Sequence, residues 1–343
     1  MATIKDVAKL AGVSVSTVSR ALNGSGYVDR TTEERVMAAV KQLNYKPNQI
    51  ARGLISKKTK TFGLILPDIS NPFFPEMARG AEDEASKHGY NIILCNSDWQ
   101  IEKEKMHLNL LQQKCVDGII LVGSRINEQY LSVLSKSATP IVLLDRTSAL
   151  DIHSISTNNV LGAYLATKHL IDQGYQNIAH IAGPALSPSA QQRLAGYRKA
   201  LVEHYRVFDL VLVTEGDYRI AGGTLAMQRL LRLATIPDAV FCANDLMAIG
   251  ALEALQQAGV KVPEEIALVG YDGINLARYV NPKLTTIIQP TYQMGIMAVQ
   301  LILETISSGQ KNFKSIELDP ILEIRESSLR RETYAKTSCI SDR

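Results

Sequence analysis

The sequence has little that could hold a metal ion or build a disulfide framework. Its cysteines, Cys95, Cys115, Cys242 and Cys339, are scattered along the chain, and no two of them form a C-x-x-C pair. The histidines do not cluster either. This pattern excludes the common zinc-binding spacings and a small disulfide-stapled fold. We therefore expect reduced thiols, no metal site and no cofactor.

Long apolar runs and enzyme motifs are missing as well. No stretch approaches the roughly 20 apolar residues that span a bilayer, and charged residues Lys5 and Asp6 interrupt the start of the chain. G-x-S-x-G, P-loop and H-E-x-x-H motifs are absent, and no glycine fingerprint follows the first apolar run. Asp145 and Asp272 remain open as an acid/base pair. We predict a cytoplasmic protein without membrane contact that is not an enzyme.

The positive charge is concentrated at one end of the chain. The net charge is only +3, but residues 1–60 carry 11 lysines and arginines against 4 acidic residues. This segment is therefore at +7, which leaves −4 for the rest of the chain. A small basic head on a mildly acidic body indicates that the head alone binds a polyanion.

The head shows three short helical patterns and no strand-like run. The segments Thr3–Asp6 and Thr31–Glu34 have the capping-box spacing, which predicts helix starts near residues 4 and 32. A further helix is expected to start near Ser14, after a Gly12-Val13 turn. These helices would bury a small core formed by Ile4, Val7, Ala8, Ala11, Val18, Val36, Ala39 and Leu43.

Two helices joined by a tight turn are typical of a helix-turn-helix, whose second helix lies in the DNA major groove. Arg20 is the strongest candidate for base recognition, because its guanidinium matches guanine O6 and N7. The groove-facing positions are Val15, Ser16 and Arg20. Short polar residues suit phosphate oxygens, and those predicted here are Ser14, Thr17, Ser19 and Asn23. Thr3, before the first helix, belongs to the same predicted DNA-binding set.

From Thr61 onward, apolar runs alternate with amphipathic helical patterns. This alternation predicts a parallel sheet covered by helices on both faces. The pattern pauses around 155–170, so we expect two similar halves. The predicted strands are 62–66, 91–95, 118–122, 140–145, 177–183, 210–213, 239–243, 266–270 and 284–288. The predicted fold is an all-α helix-turn-helix head on an α/β body of two doubly wound parallel-sheet subdomains.

The order I-K-D-V-A-x-x-A-G-V-S-x-x-T-V-S-R-x-L-N, followed by 43–48 and 51–54, closely resembles the LacI family of repressors. The resemblance runs from residue 2 to about 330. It implies a hinge helix in the minor groove, with Leu54 as the residue that wedges between the central base pairs. Tyr45 and Asn48 would contact phosphates, and Ala51 lies on the same hinge. A palindromic double-stranded operator is the implied partner.

A homodimer is expected, because a two-fold operator needs two heads. The hinge is also shorter than the ~12–15 residues that an isolated helix needs in water. The chain end lacks leucine heptads for tetramerisation. The predicted domains are a DNA-binding head (1–46), a hinge helix and linker (47–60), an effector-binding and dimerisation domain (61–335) and a tail (336–343). Within the third domain, the N-subdomain takes 61–160 and 291–321, and the C-subdomain takes 161–289 and 322–335.

For the body, the resemblance implies the periplasmic sugar-binding-protein fold, a binding fold that transport proteins share. The chain would cross between its subdomains near 157–162, 289–291 and 320–323. Ligands of such sheets bind beyond the carboxyl ends of the strands. The candidate residues there are Asn71, Phe73, Phe74, Asp145, Arg146, Arg193, Tyr218, Asn244, Asp272 and Gln289. For Asp245 we expect a helix cap or solvent contact instead.

This set suits a monosaccharide, because aromatic rings cover the apolar faces of a sugar, while amides, carboxylates and guanidinium groups bind its hydroxyls. It also resembles the pocket of ribose-binding proteins, with Tyr218 in place of a phenylalanine. The expected function is repression of a sugar-utilisation operon, relieved by a sugar inducer, with ribose the best candidate. A purine-responsive regulator, or a global carbon-catabolite regulator that uses a protein coregulator, stays open. Asp145 and Asp272 favour a hydroxyl-rich ligand over an oxo-purine.

Overall fold

The computed structural model describes residues 2–24, 26–45, 58–309 and 312–330. The chain separates into two compact units, Met1–Lys60 and Thr61–Arg343. Most of the predicted hinge segment and the whole predicted tail lie outside the described residues. Within the described residues, no helix has the length and apolar character needed to cross a membrane.

The first unit contains helices α1 (Ile4–Ala11), α2 (Val15–Asn23) and α3 (Arg30–Gln42). The capping box predicted at Thr3 is present, with the Asp6 carboxylate accepting from the Thr3 backbone N–H at 2.8 Å. The prediction for α3 was wrong by two residues. Asp29 caps that helix, because its carboxylate accepts the Thr32 backbone N–H at 3.0 Å.

The three helices share one small apolar core. Val7, Val18 and Val36, one from each helix, are completely buried, and the half-buried Ile4 and Leu43 pack against its edge. A core of this size holds the angle between α1 and α2. The outward face of α2 is therefore set by which of its residues are buried.

The second unit consists of two six-stranded sheets. The first has the order β11-β5-β4-β3-β1-β2 and the second has the order β12-β10-β9-β8-β6-β7. Neighbouring strands are parallel except that β12 runs antiparallel to β10. The strands are β1 Thr61–Leu66, β2 Asn91–Asn96, β3 Gly118–Val122, β4 Ile141–Leu144, β5 His153–Thr157, β6 Ile178–Ala182, β7 Val213–Glu215, β8 Ala239–Cys242, β9 Ala267–Asp272, β10 Thr285–Ile288, β11 Ser315–Leu318 and β12 Ile321–Glu323.

Helices cover both sheets, as the alternating pattern predicts. They are α4 Phe73–Lys87, α5 Ile101–Gln113, α6 Glu128–Ser135, α7 Asn159–Asp172, α8 Pro188–Glu203, α9 Ile220–Leu230, α10 Asp245–Gln257 and α11 Thr291–Ser308. Short 3-10 turns lie at Leu210–Leu212, Asn275–Arg278 and Glu326–Ser328. The predicted fold class, a helical head on two doubly wound sheets, is confirmed.

The chain passes three times from one sheet to the other. The passages lie between β5 and α7, between β10 and α11, and between β11 and β12. Each sheet is thus built from separate stretches of the chain. The carboxyl ends of strands from both sheets border the space between them.

Several strands escaped the sequence analysis. There is no pause around 155–170, because β5 (HSIST) and α7 fill this stretch. Every residue of β5 is buried. The Ser154 hydroxyl donates to that of Ser315 at 3.0 Å and His153 Nε2 lies 3.1 Å from Thr305 Oγ1, whereas the Ser156 hydroxyl has no partner among the described residues. β11 and β12 were also missed. The run at 210–213 is a 3-10 turn, and the short strand β7 begins only at Val213.

Candidate functional site

The outward face of α2 is the first candidate site. Val18 of this helix is buried in the core of the head, whereas Val15, Ser16 and Arg20 are exposed. Val15 retains 41% of its accessible surface. An exposed short helix carrying an arginine is the arrangement that a helix-turn-helix presents to a major groove.

The hydroxyl groups at the start of α2 already have structural partners. The Ser14 Oγ accepts the Thr17 backbone N–H at 3.1 Å and lies 2.7 Å from Ser16 Oγ and 2.8 Å from Thr17 Oγ1. Thr3 caps α1 in the same way. If these residues contact DNA phosphates, their hydroxyl groups must bind the phosphate while they also cap the helices.

The remaining residues of the predicted DNA-binding set are placed as follows. Ser19 is half-buried on α2, and Asn23 is the last residue of that helix. Tyr45 is half-buried and packs against the core of the head. Asn48, Ala51 and Leu54 lie outside the described residues.

The second candidate site is a cavity between the two sheets, with a volume of about 20 Å³. It brings together eight of the ten predicted ligand-binding residues. Its lining consists of Asn71, Phe73, Phe74, Trp99, Asp145, Ser189, Arg193, Tyr218, Asn244 and Asp272.

Strand ends and helix starts position this lining. Asp145 directly follows β4, and Asp272 is the last residue of β9. Asn244 caps α10 with its side-chain oxygen, which accepts the Met247 N–H at 2.9 Å, and its amide donates to the Tyr218 carbonyl at 3.0 Å. Parallel strands of one sheet end at the same edge, and these edges of both sheets border the cavity. Both sheets therefore contribute residues to its lining.

Arg193 of α8 is the centre of the polar network. Only 3% of it is exposed, and its Nη1 lies 3.6 Å from the Asp272 carboxylate. Its Nε donates to Asn159 Oδ1 at 2.8 Å, and its guanidinium lies 3.8 Å from the centre of the Tyr271 ring. A buried guanidinium held on several sides keeps one orientation, which suits recognition of a polar ligand.

Two carboxylates share this one buried cation. Removal from water raises the pKa of Asp272 well above its usual value, although Arg193 acts in the opposite direction. Removal from water also raises the pKa of Asp145 to about 6, again opposed by Arg193. A single guanidinium faces two carboxyl groups whose raised pKa values show that negative charge is disfavoured here, so the cluster favours a neutral ligand that brings hydrogen-bond donors.

Asp145 has an unused acceptor. Its Oδ1 is shielded from solvent and accepts no hydrogen bond from any residue that the structure describes. The backbone of Asp145 is left-handed, with φ 55°, in the sparsely populated region that functional sites often occupy. A buried acceptor without a donor costs free energy that a ligand hydroxyl can recover.

Comparison with known proteins decides the family. Residues 3–48 match "Bacterial regulatory proteins, lacI family", and residues 59–322 match "Periplasmic binding proteins and sugar binding domain of LacI family". The chain belongs to the LacI family. It is therefore a DNA-binding transcriptional repressor and not an enzyme.

Relatives match the LacI-family chain over nearly its whole length. The ribose operon repressor of Halalkalibacterium halodurans is 42% identical, over 96% of this chain and 97% of its own. The HTH-type transcriptional repressor PurR of Aliivibrio fischeri (strain MJ11) is 39% identical, over 96% and 99%.

Solved structures agree with this assignment. The Lac repressor dimer bound to operator and the anti-inducer ONPF has a TM-score of 0.88 at 30% identity, over 96% of this chain and 99% of its own. A LacI family regulator from Enterococcus faecium with bound ribose has a TM-score of 0.71 at 32% identity, over 78% and 98%.

Two predicted ligand-binding residues of this LacI-family repressor do not line the cavity. Arg146 is turned away, because its guanidinium donates to the carbonyls of Ser124 and Ile126 and pairs with Glu128 at 2.9 Å. Gln289 acts one step back from the cavity, donating to Asp272 Oδ1 at 2.9 Å.

Asp245 has a structural role, but the expected helix cap or solvent contact was wrong, because Asn244 caps α10 and Asp245 is buried. It is fully buried at the start of α10, where its carboxylate accepts from Thr286 Oγ1 and from the Ile274 N–H. Burial raises the pKa of Asp245 to about 7. These contacts join α10 to β10 and to the loop after β9, and Asp245 does not line the cavity.

Two residues of this LacI-family chain that were not predicted from the sequence, Trp99 and Ser189, also line the cavity. Trp99 could have been found, because it is the only tryptophan and follows the carboxyl end of β2. Ser189 lies in the first turn of α8, and its hydroxyl is 3.4 Å from that of Tyr218. No sequence signal distinguishes Ser189 from an ordinary helix-start serine.

Proposed function

We propose that this repressor binds a palindromic operator as a homodimer and is released when ribose enters the cavity between its two sheets. The exposed face of α2, with Arg20, Val15 and Ser16, makes the contacts to base edges. Leu54 of the hinge wedges into the central base step. The protein works where the DNA is, in the cytoplasm.

The unpaired, buried Oδ1 of Asp145 is the observation that carries the sugar assignment. A carboxylate accepts hydrogen bonds only, so its ligand must bring a donor. Each hydroxyl of a monosaccharide is such a donor and is also an acceptor for the Arg193 guanidinium. Aromatic side chains around the cavity, including Phe73, Phe74 and Tyr218, cover the apolar face of a sugar ring.

The charge of the cavity separates neutral from phosphorylated sugars. Asp145 and Asp272 outnumber the single guanidinium of Arg193, and a phosphate group would add further negative charge. Like charges brought together out of water repel strongly. A free pentose is therefore favoured over a sugar phosphate.

The size of the cavity supports coupling between ligand binding and movement. About 20 Å³ is room for roughly one water molecule, so a monosaccharide enters only when the walls separate. A ligand that binds one arrangement of the two sheets better than another shifts the population toward that arrangement. Coupling of this kind is typically worth about 1–3 kcal/mol.

Relatives supply independent support for ribose. A ribose operon repressor is 42% identical to this chain, and a structurally similar regulator holds bound ribose. Because a relative named PurR is 39% identical, a purine effector is the second candidate. The flat ring of a purine would also fit between the aromatic side chains.

In the deciding experiment, the full-length protein is titrated with ribose, other pentoses, hexoses and purine bases. Calorimetry measures the binding of each ligand, and a gel shift measures its effect on operator binding. Ribose is expected to bind and to weaken the operator complex. A ligand at 100 times its Kd also raises the unfolding free energy by about 2.7 kcal/mol. A purine that binds while ribose does not, or ribose that strengthens operator binding, contradicts the proposal.

A matched pair of variants tests the role of Asp145. Asp145→Asn removes a charged acceptor and is expected to weaken ribose binding about 10- to 100-fold. Asp151→Asn changes an exposed carboxylate that precedes β5 and does not line the cavity, and it is expected to bind ribose like the wild type. If both variants bound ribose with the same affinity, Asp145 would not be a ligand-binding residue.

A protein coregulator that changes operator binding alone, without any small ligand, would favour the catabolite-regulator alternative.

A further inference from the structure

Trp99 stands in a column of stacked side chains that crosses the space between the sheets. The Arg125 guanidinium lies 4.9 Å from the centre of the indole on one side. The Tyr218 ring lies 6.1 Å from it on the other side, inclined by 26°. Phe74 meets the indole edge-on at 5.8 Å. Three neighbours therefore fix the indole plane.

The two aromatic residues of this column come from different sheets. Trp99 follows β2 of the first sheet, and Tyr218 follows β7 of the second. Both have left-handed backbones, with φ 60° and φ 65°. Non-glycine residues keep this conformation only where their surroundings hold them in it.

Tyr218 has little freedom to move. Its hydroxyl lies 3.2 Å from that of Ser187, and its carbonyl accepts from the Asn244 amide. Its ring lies so close to Gly183 that a Cβ there would be 2.3 Å from Tyr218 Cζ. Because both rings are held by their neighbours, the column opens on binding only when the two sheets separate.

Trp99 also separates two spaces. It lines the inner cavity with Asp145 and Arg193, and it lines an outer groove of about 760 Å³. Arg125, Leu186 and other residues complete the groove. Replacing the indole by a small side chain would join the small cavity to the large groove.

We propose that Trp99 contacts the bound ligand and sets the upper size limit of the effector, admitting a monosaccharide and excluding a disaccharide. Arg125 is a positioning residue, which holds the indole from the outer side. The inference rests on the proposed sugar function, because it names the residue that limits the size of the sugar.

The test measures binding of ribose and of the disaccharide cellobiose to the full-length protein by calorimetry. Wild type is expected to bind ribose and not cellobiose. Trp99→Ala is expected to bind ribose about tenfold more weakly, through loss of the aromatic contact, and to gain measurable cellobiose binding. Trp99→Phe, which keeps a ring, should stay within a few-fold of wild type for ribose and exclude cellobiose.

Two further variants separate contact from positioning. Arg125→Met is expected to weaken ribose binding less than Trp99→Ala and to leave cellobiose excluded. Leu186→Ala, which changes only the outer groove, should leave both affinities unchanged. Because Trp99 is the only tryptophan, ribose should change the emission of wild type and Trp99 should lose accessibility to acrylamide.

The outcomes distinguish the two proposals. Wild type that binds no sugar at all refutes the sugar function and this inference with it. Wild type that binds ribose, together with a folded Trp99→Ala that binds ribose equally well and still excludes cellobiose, refutes only the role of Trp99. Cellobiose binding by wild type refutes it as well. If Trp99→Ala does not fold, the comparison uses Trp99→Phe and Leu186→Ala. A tenfold loss of ribose affinity that is equal in these two variants refutes the role of Trp99.

Discussion

Asp145→Asn should make the protein more stable while it weakens the binding site. Removal from water raises the pKa of Asp145 to about 6 from an ordinary value of 3.8, although Arg193 acts in the opposite direction. The folded protein therefore binds a proton more readily than the unfolded chain does. The carboxylate of Asp145 costs stability at neutral pH, and an amide of the same shape does not carry this cost.

The size of the effect follows from the pKa. Between 3.8 and about 6, the folded state binds more protons, so the unfolding free energy falls as pH rises through this window. Below pH 3.8 the Asp145 carboxyl contributes no penalty, and above pH 6 the penalty is complete. The difference between a pKa of 3.8 and one of about 6 corresponds to about 3 kcal/mol. Asp145→Asn should gain up to about 3 kcal/mol at pH 8 and little at pH 4.

Urea unfolding at pH 4, 5, 6, 7 and 8, followed by circular dichroism and Trp99 emission, measures this difference. The control Asp151→Asn alters an exposed carboxylate and should stay within about 0.5 kcal/mol of wild type at every pH. If Asp145→Asn were no more stable than wild type at pH 8, or if its advantage did not shrink toward pH 4, the charge argument would be wrong.

Two further predictions concern helix ends and helix packing. Asp29→Ala removes the cap of α3 and should destabilise the helix by about 1 kcal/mol, seen as faster hydrogen exchange of α3 in the full-length chain. Thr31→Val, which removes only the hydroxyl that donates to Asp29 at 2.6 Å, should have the smaller effect; the reverse order would restore the cap to Thr31. Gly80→Ala should destabilise the second unit by about 1–3 kcal/mol in urea, because its Cβ would lie 2.0 Å from the Tyr292 carbonyl oxygen. Wild-type stability of Gly80→Ala would show that α4 and α11 move apart freely.

The helix-turn-helix head was readable because its determinants are local. Thr3 and Asp6 cap α1 within one turn, and Ser14 caps α2. Burial of Val18 and exposure of Arg20 follow from their helical spacing once Val7 and its neighbours form a core. The misplaced start of α3 has the same local nature, since Asp29 and Thr31 are two residues apart and both are good capping residues.

The apolar strands were readable for a similar reason, whereas the polar ones were not. β3 and β4 consist of continuous apolar residues, which is typical of strands buried on both faces. β5 is just as buried, but its residues His153 and Ser154 are polar. Their partners, Thr305 and Ser315, lie 152 and 161 residues away in the chain, so no local pattern could predict that these polar groups are satisfied.

For the cavity, most of the polar and aromatic residues at strand ends could be identified from the sequence, because a parallel sheet brings those ends to one edge. Which of these side chains face inward depends on tertiary packing. Arg146 follows Asp145 directly, yet the carbonyls of Ser124 and Ile126 and the carboxylate of Glu128 draw it away. Trp99 lines the cavity because Arg125 and Tyr218 hold its indole in place. These two residues come from other segments of the chain, and Tyr218 belongs to the other sheet. The direction in which each side chain points, and its distance from the others, depend on how the two sheets pack against each other. Distant parts of the chain set this packing together.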